Sequence, residues 1–118
     1  MGRCVIKAMP DEDLYLEWSS IVDACTMVGT RSDLLAAGHR PEALDRADQI
    51  GTSDRVAQVG AWGDESLGVE TTEHRQCEGP LVLSRADLSA FARHLAAGDS
   101  RQAEDLLIPD PKPWDGIV

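Results

Sequence analysis

His74 and Cys77 stand as His-Arg-Gln-Cys, the spacing in this chain that best suits a pair of metal ligands. A tetrahedral zinc site needs four donors, so Cys4 or Cys25 would have to complete it from elsewhere in the fold. The chain has no second closely spaced pair, and isolated cysteines commonly fill cores as small hydrophobes. No metal and no other cofactor is expected. Cys77 is also poorly placed as a nucleophile. Thiolate chemistry needs a lowered pKa, whereas Glu73 and Glu78 on either side raise it.

Asp11, Glu12 and Asp13 could in principle hold a divalent cation or share acid–base work. They lack the periodic acids and the glycine of a calcium loop and read as a solvated turn. Asp23 and Asp33 are the other acids to which an enzymatic role could be assigned. His39, just after a helix-ending Gly38, and His94, beside Leu95 on an amphipathic helix, are expected at the surface. Ser19, Ser20 and Ser66 have no nucleophile-elbow glycines around them. The glycines from Gly60 to Gly68 lack the Gly-Lys-Ser/Thr ending of a phosphate loop. The residues predict no enzyme.

The three tryptophans stand out because aromatic residues are only 4% of the chain and tryptophan is enriched in binding hot spots. Trp18 has the phase of a core strand residue. Trp62, between Gly60 and Gly63, reads as a cover for the sheet or as a loop anchor. Trp114 lies in a proline-rich tail, where it either folds back on the domain or docks into a partner. Near Trp62 runs an acidic band of Asp64, Glu65, Glu70, Glu73 and Glu78, with Arg75 the one Lys or Arg between Gly60 and Pro80.

These residues must be positioned by a small chain. Its 118 residues suit one core, since domains usually run to about 100–150 residues. A content of 42% hydrophobic and 27% charged residues is ordinary globular usage. No apolar run approaches the ~20 residues of a membrane-spanning helix, and no secretory apolar region can be drawn at the N-terminus. Three widely spaced cysteines do not make a disulfide framework. A cytoplasmic protein with reduced thiols is expected. A net charge of −10 repels phosphates and disfavours direct nucleic-acid binding, while it attracts basic partners.

Period-two alternation over Arg3–Met9 and again over 14–23, joined by Pro10-Asp11-Glu12-Asp13, predicts an N-terminal β-hairpin. Thr30 with Asp33 signals the cap of a short helix ending at Gly38. Pro41 opens a second helix that runs to Ile50 and stops at Gly51. Val56 to Trp62 suggests a strand. Leu81-Val82-Leu83 suggests another, leading into a helix capped by Ser84 with Leu88, Phe91, Ala92 and Leu95 on one face. Asp99 or Ser100 caps a last helix carrying Ala103, Leu106 and Leu107. Pro109, Pro111 and Pro113 then enforce an extended tail. An internal echo, Thr30-Arg31-Ser32-Asp33-Leu34 against Ser84-Arg85-Ala86-Asp87-Leu88, each followed by a Leu-Ala-Ala-Gly, reads as one helix-capping solution used twice, with a duplicated helical hairpin as the lesser alternative.

The segment Tyr15 to Ala24, followed by Gly29-Thr30-Arg31 and Leu34, resembles small uncharacterised proteins of actinobacteria and their phages. The resemblance implies a source and a phage connection, and no residue role. The expected fold is α+β: a small antiparallel sheet starting with the hairpin, helices packed on one face, a domain over 1–108 and a Pro/Trp tail over 109–118. The expected function is an acidic, non-enzymatic protein-binding or self-associating module. Its candidate contact residues are Trp62, Asp64, Glu65, Glu70, Glu73 and Trp114. The alternatives are a nucleic-acid-mimicking inhibitor of a DNA-binding host protein that uses the acidic band, and, less favoured, a small enzyme or metal-binding protein.

Overall fold

The computed structural model describes residues 3–19, 24–69 and 80–109. The fold is α+β and begins with the expected hairpin. Strand β1 (Arg3–Lys7) pairs antiparallel with β2 (Tyr15–Ser19), with Cys4 opposite Trp18 and Ile6 opposite Leu16. Ala8 N–H donates to Leu14 O and Glu12 N–H to Met9 O, so the Pro-Asp-Glu-Asp segment makes the turn. Strand β3 (Ala24–Gly29) completes the sheet in the order β1-β2-β3. Its pairing with β2 slips between Glu17 and Trp18, leaving Thr26 as an extra residue on β3.

Helix α1 (Arg31–Ala36) starts at a capping box in which Thr30 Oγ1 accepts from Asp33 N–H and the Asp33 carboxylate accepts from Thr30 N–H. Helix α2 (Pro41–Ile50) takes its fixed first φ from proline and ends at Gly51. A second sheet holds β4 (Ser66–Val69), β5 (Leu81–Ser84) and β6 (Ile108–Pro109) in that order. Pro109 belongs to the edge strand β6, where its missing N–H is tolerated. Helices α3 (Leu88–Ala96) and α4 (Ser100–Glu104) lie between β5 and β6, and Asp99 caps α4 through Gln102 N–H.

The two periods of the first sheet sort its side chains. Cys4, Ile6, Ala8, Leu16 and Trp18 face the main core, against Leu67 and Leu83 of the second sheet and Leu88, Phe91 and Ala92 of α3. Val5 and Tyr15 face the other way, onto Leu34, Leu44 and Ala47. The first sheet is therefore buried on both sides, and the helices divide between its faces where a single face was expected. One face carries α1 and α2; the other carries the second sheet with α3 and α4. The physical reason is that Val5 and Tyr15 are themselves large and apolar, so neither face can be left to water.

Ala24–Gly29 extends the hairpin as β3, whereas the strand expected at Leu81-Val82-Leu83 forms as β5 in the separate sheet β4-β5-β6. Two expectations are corrected. Ser84 does not cap α3 with its side chain: it opens a 3₁₀ turn, Arg85–Asp87, that leads into the helix. Val56 to Trp62 is loop. Asp54 accepts from the amides of Val56 and Val59, and this side-chain turn chemistry takes the backbone groups a strand would need. Val56 is 94% exposed.

The internal echo has a physical cause at its second half. After α1, Gly38 (φ 106°) lets His39 N–H reach Leu34 O and Gly38 N–H reach Leu35 O. After α3, Gly98 (φ 79°) lets Asp99 N–H reach His94 O and Gly98 N–H reach Leu95 O. Both Leu-Ala-Ala-Gly segments are the same left-handed helix terminator. The N-terminal ends differ, a capping box in one and a 3₁₀ turn in the other.

Candidate functional site

The loop from Gly51 to Glu65 is built onto the outer edge of β1. Lys7 N–H donates to Gly51 O, Ser53 N–H to Val5 O, and Val5 N–H to Ser53 Oγ, so the free edge of the strand is covered. Gly51 ends α2 at φ 96°, and a Cβ there would meet Trp62 N at 2.8 Å. That close approach lets Trp62 cap the helix: its backbone N–H donates to Ile50 O (2.9 Å) and its indole Nε1–H to Gln49 O (3.1 Å). Asp64 closes the loop by accepting from Gly60 N–H at 2.8 Å.

Arg85 pins this loop to the hairpin. Its guanidinium donates to Gly60 O (3.0 Å), Ala8 O (2.8 Å) and Lys7 O (2.6 Å), and its carbon lies 4.8 Å from the centroid of the Trp62 ring. Only 8% of the residue is exposed. Burial pushes its pKa down and the charge of Asp64 works against that, but a guanidinium stays protonated in either case. Its N–H groups satisfy these three backbone carbonyls with a charged donor.

Between the hairpin turn and this loop opens a cleft of about 490 Å³. Met9, Pro10, Trp62 and Ala86 contribute apolar surface, and Asp64, Glu65, Ser84 and Arg85 contribute polar groups. Met9 is 38% exposed. Of the residues expected to form a contact site, Trp62, Asp64 and Glu65 are thus brought together. Glu70, Glu73 and Trp114, together with Glu78, His74 and Cys77, lie outside the described residues.

No family model, curated protein or solved structure matches this chain. The site is therefore read from its own geometry. Sequence reasoning missed Arg85, Met9 and Pro10. The signal for Arg85 was a charged residue two positions after the buried apolar run Leu81-Val82-Leu83. The signal for Met9 was an apolar residue next to a proline at the end of a strand.

Two polar clusters lie on the α1–α2 side of the first sheet. Glu17, 8% exposed at the centre of β2, accepts from Thr26 Oγ1 (2.7 Å) and His39 Nε2 (2.6 Å), with Arg3 at 3.6 Å. The Thr26 hydrogen bond, together with those of His39 and the charge of Arg3, holds its carboxyl below the usual glutamate range against the opposing effect of burial. His39 was expected at the surface. The terminator at Gly38 instead turns it inward onto Glu17, and its side chain is 16% exposed.

The second cluster centres on Asp48, which accepts from Tyr15 Oη (2.6 Å), Lys7 Nζ (2.9 Å) and Arg31 Nη1 (3.2 Å). Burial, and then the Asp48 carboxylate, raise the Tyr15 pKa.

The remaining candidates are engaged elsewhere. Asp13 accepts from Arg31 N–H, while Glu12 bonds Ser89 Oγ and Arg93. Glu12 and Asp13 thus point to separate partners. Burial pushes the Cys4 thiol up to about 11 and the Cys25 thiol up to about 12, far from a nucleophilic state at neutral pH. Ser66 lies exposed on β4 and Ser19 is buried in β2. Among the described residues no helix is long and apolar enough to cross a membrane.

Proposed function

We propose that this acidic α+β domain is a non-enzymatic protein-binding module and that the cleft at Trp62 is its contact surface. The supporting observation is the meeting of exposed Met9 and Pro10 with Trp62, Asp64 and Glu65 around one concave space of about 490 Å³. Clefts of roughly 300–1,000 Å³ with apolar walls and a few placed polar groups are the usual form of a ligand site. Trp62 and Arg85 are fixed by hydrogen bonds to backbone carbonyls, so little of this surface has to be ordered on binding. A net charge of −10 favours a basic partner and opposes association of two copies through like-charged faces. Free thiols at Cys4 and Cys25 suit a reducing, cytoplasmic setting.

Parallel selections from a displayed random-peptide library, one against the native domain and one against Met9→Asp, test the reading. The native domain should enrich a peptide family that the variant does not. Met9 is exposed, so the substitution spares the core. Selections that enrich nothing, or enrich the same sequences with both proteins, would overturn the proposal.

A further inference from the structure

We infer that the cleft reads a lysine in an extended peptide segment, packing its stem along Met9 and Pro10 and setting its ammonium on Asp64 and Glu65. The inference rests on the protein-binding reading above and specifies the partner's chemistry.

The cleft combines two properties that no purely apolar or purely polar side chain satisfies together. Its apolar side is supplied by Met9, Pro10, Trp62 and Ala86, and its charge by carboxylates at two successive residues. A lysine covers apolar surface with its methylenes while its head remains among charges and water. Charge complementarity points the same way. Arg85, the one cation lining the cleft among the described residues, directs its donors at the carbonyls of Lys7, Ala8 and Gly60, and Asp64 and Glu65 leave this described lining with a net negative charge. An acidic ligand would meet this charge and the −10 of the whole chain.

Lysine is favoured over arginine for two reasons. Arginine gains from stacking on aromatic rings and from gripping one carboxylate with two parallel hydrogen bonds. Arg85 already stacks on the Trp62 ring at 4.8 Å, and Asp64 Oδ2 is already bonded to Gly60 N–H at 2.8 Å. A compact ammonium needs neither the ring face nor both oxygens of one carboxylate.

The probes are blocked pentapeptides, acetyl-Gly-Val-Xaa-Val-Gly-amide, with lysine, norleucine, arginine or glutamate at Xaa. They are titrated into the whole isotope-labelled chain while the indole N–H resonance of Trp62, assigned with Trp62→Phe, is followed. The lysine peptide should bind at least about tenfold more tightly than the norleucine and glutamate peptides, and more tightly than the arginine peptide. Its affinity should fall with salt, while that of the norleucine peptide should not. Asp64→Asn with Glu65→Gln should bring lysine down to the norleucine level. Glu65→Gln alone, at an exposed position, should give part of that loss without touching the loop hydrogen bonds.

Equal binding of lysine and norleucine, or arginine binding as well as lysine, would overturn the lysine assignment and leave the protein-binding reading standing. If none of the peptides moves the Trp62 resonance, both fall.

Discussion

The Arg85 guanidinium lies 4.8 Å from the centre of the Trp62 ring and joins three chain segments through the carbonyls of Lys7, Ala8 and Gly60. Trp62 in turn closes the end of α2 through Ile50 O and Gln49 O. The pair therefore links β1, the Gly51–Glu65 loop, α2 and β5, and one side of the cleft depends on it.

Arg85→Met should cost about 3 kcal/mol, since it leaves buried carbonyls without the charged donor that satisfied them. Arg85→Lys should recover only part of this, because one ammonium cannot reproduce a planar fork aimed at three oxygens. Urea unfolding of both variants measures the difference. A loss below about 1 kcal/mol in Arg85→Met would show that water replaces the guanidinium at little cost.

Tyr15 is the single tyrosine of the chain, so phenolate absorbance reports it alone. Its pKa in the fold is raised, first by burial and then by its hydrogen bond to Asp48. The spectrophotometric midpoint should lie above 10, the ordinary value given for this group, and Asp48→Asn should lower it. A raised acid holds its proton more tightly when folded. Its stabilisation is complete below the unfolded pKa and is lost as pH rises through the folded one. Tyr15→Phe should therefore flatten the alkaline loss of stability. A native midpoint at or below 10 would contradict the buried Tyr15–Asp48 contact.

Glu17 behaves in the opposite sense. Its folded pKa is lowered from 4.5, chiefly by the Thr26 hydrogen bond and then by those of His39 and the charge of Arg3. Its contribution is therefore present above pH 4.5 and disappears as pH falls through the depressed folded value. Thermal unfolding between pH 7 and pH 2.5 should show a weaker acid dependence in Glu17→Gln than in the native chain. Parallel curves for the two proteins would mean that the carboxylate is not held as described.

Gly51 and Gly38 both adopt left-handed backbone, but only Gly51 is also crowded. A Cβ at Gly51 meets Trp62 N at 2.8 Å and Gly60 O at 3.0 Å, whereas one at Gly38 meets nothing within 4 Å. Each alanine substitution should cost about 1–3 kcal/mol for the backbone conformation. Gly51→Ala should cost more and should shift the Trp62 indole resonance, while Gly38→Ala should leave that resonance in place. Equal destabilisation by the two would refute the tight seat of Trp62 on the helix end.

Local chemistry carried much of this fold in the sequence. Alternation fixed the faces of β1 and β2, Thr30 and Asp33 fixed the start of α1, and Pro41 and Gly51 bounded α2. The repeated Leu-Ala-Ala-Gly named its own terminators, because each of these signals acts within a few residues. Trp62, Asp64 and Glu65 were legible as contact candidates for the same reason: they are close neighbours in the chain.

Tertiary structure alone decided the rest. That β3 joins the first sheet and β4, β5 and β6 make another depends on pairing between distant segments, which periodicity cannot rank. That His39 reaches Glu17 across 22 positions, and Arg85 reaches Ala8 across 77, depends on where folded elements happen to meet. A side chain's type and spacing state which bonds it can make. Only the packed chain brings a buried arginine to the carbonyls of Lys7, Ala8 and Gly60, and so turns a loop tryptophan and two acids into one side of a cleft.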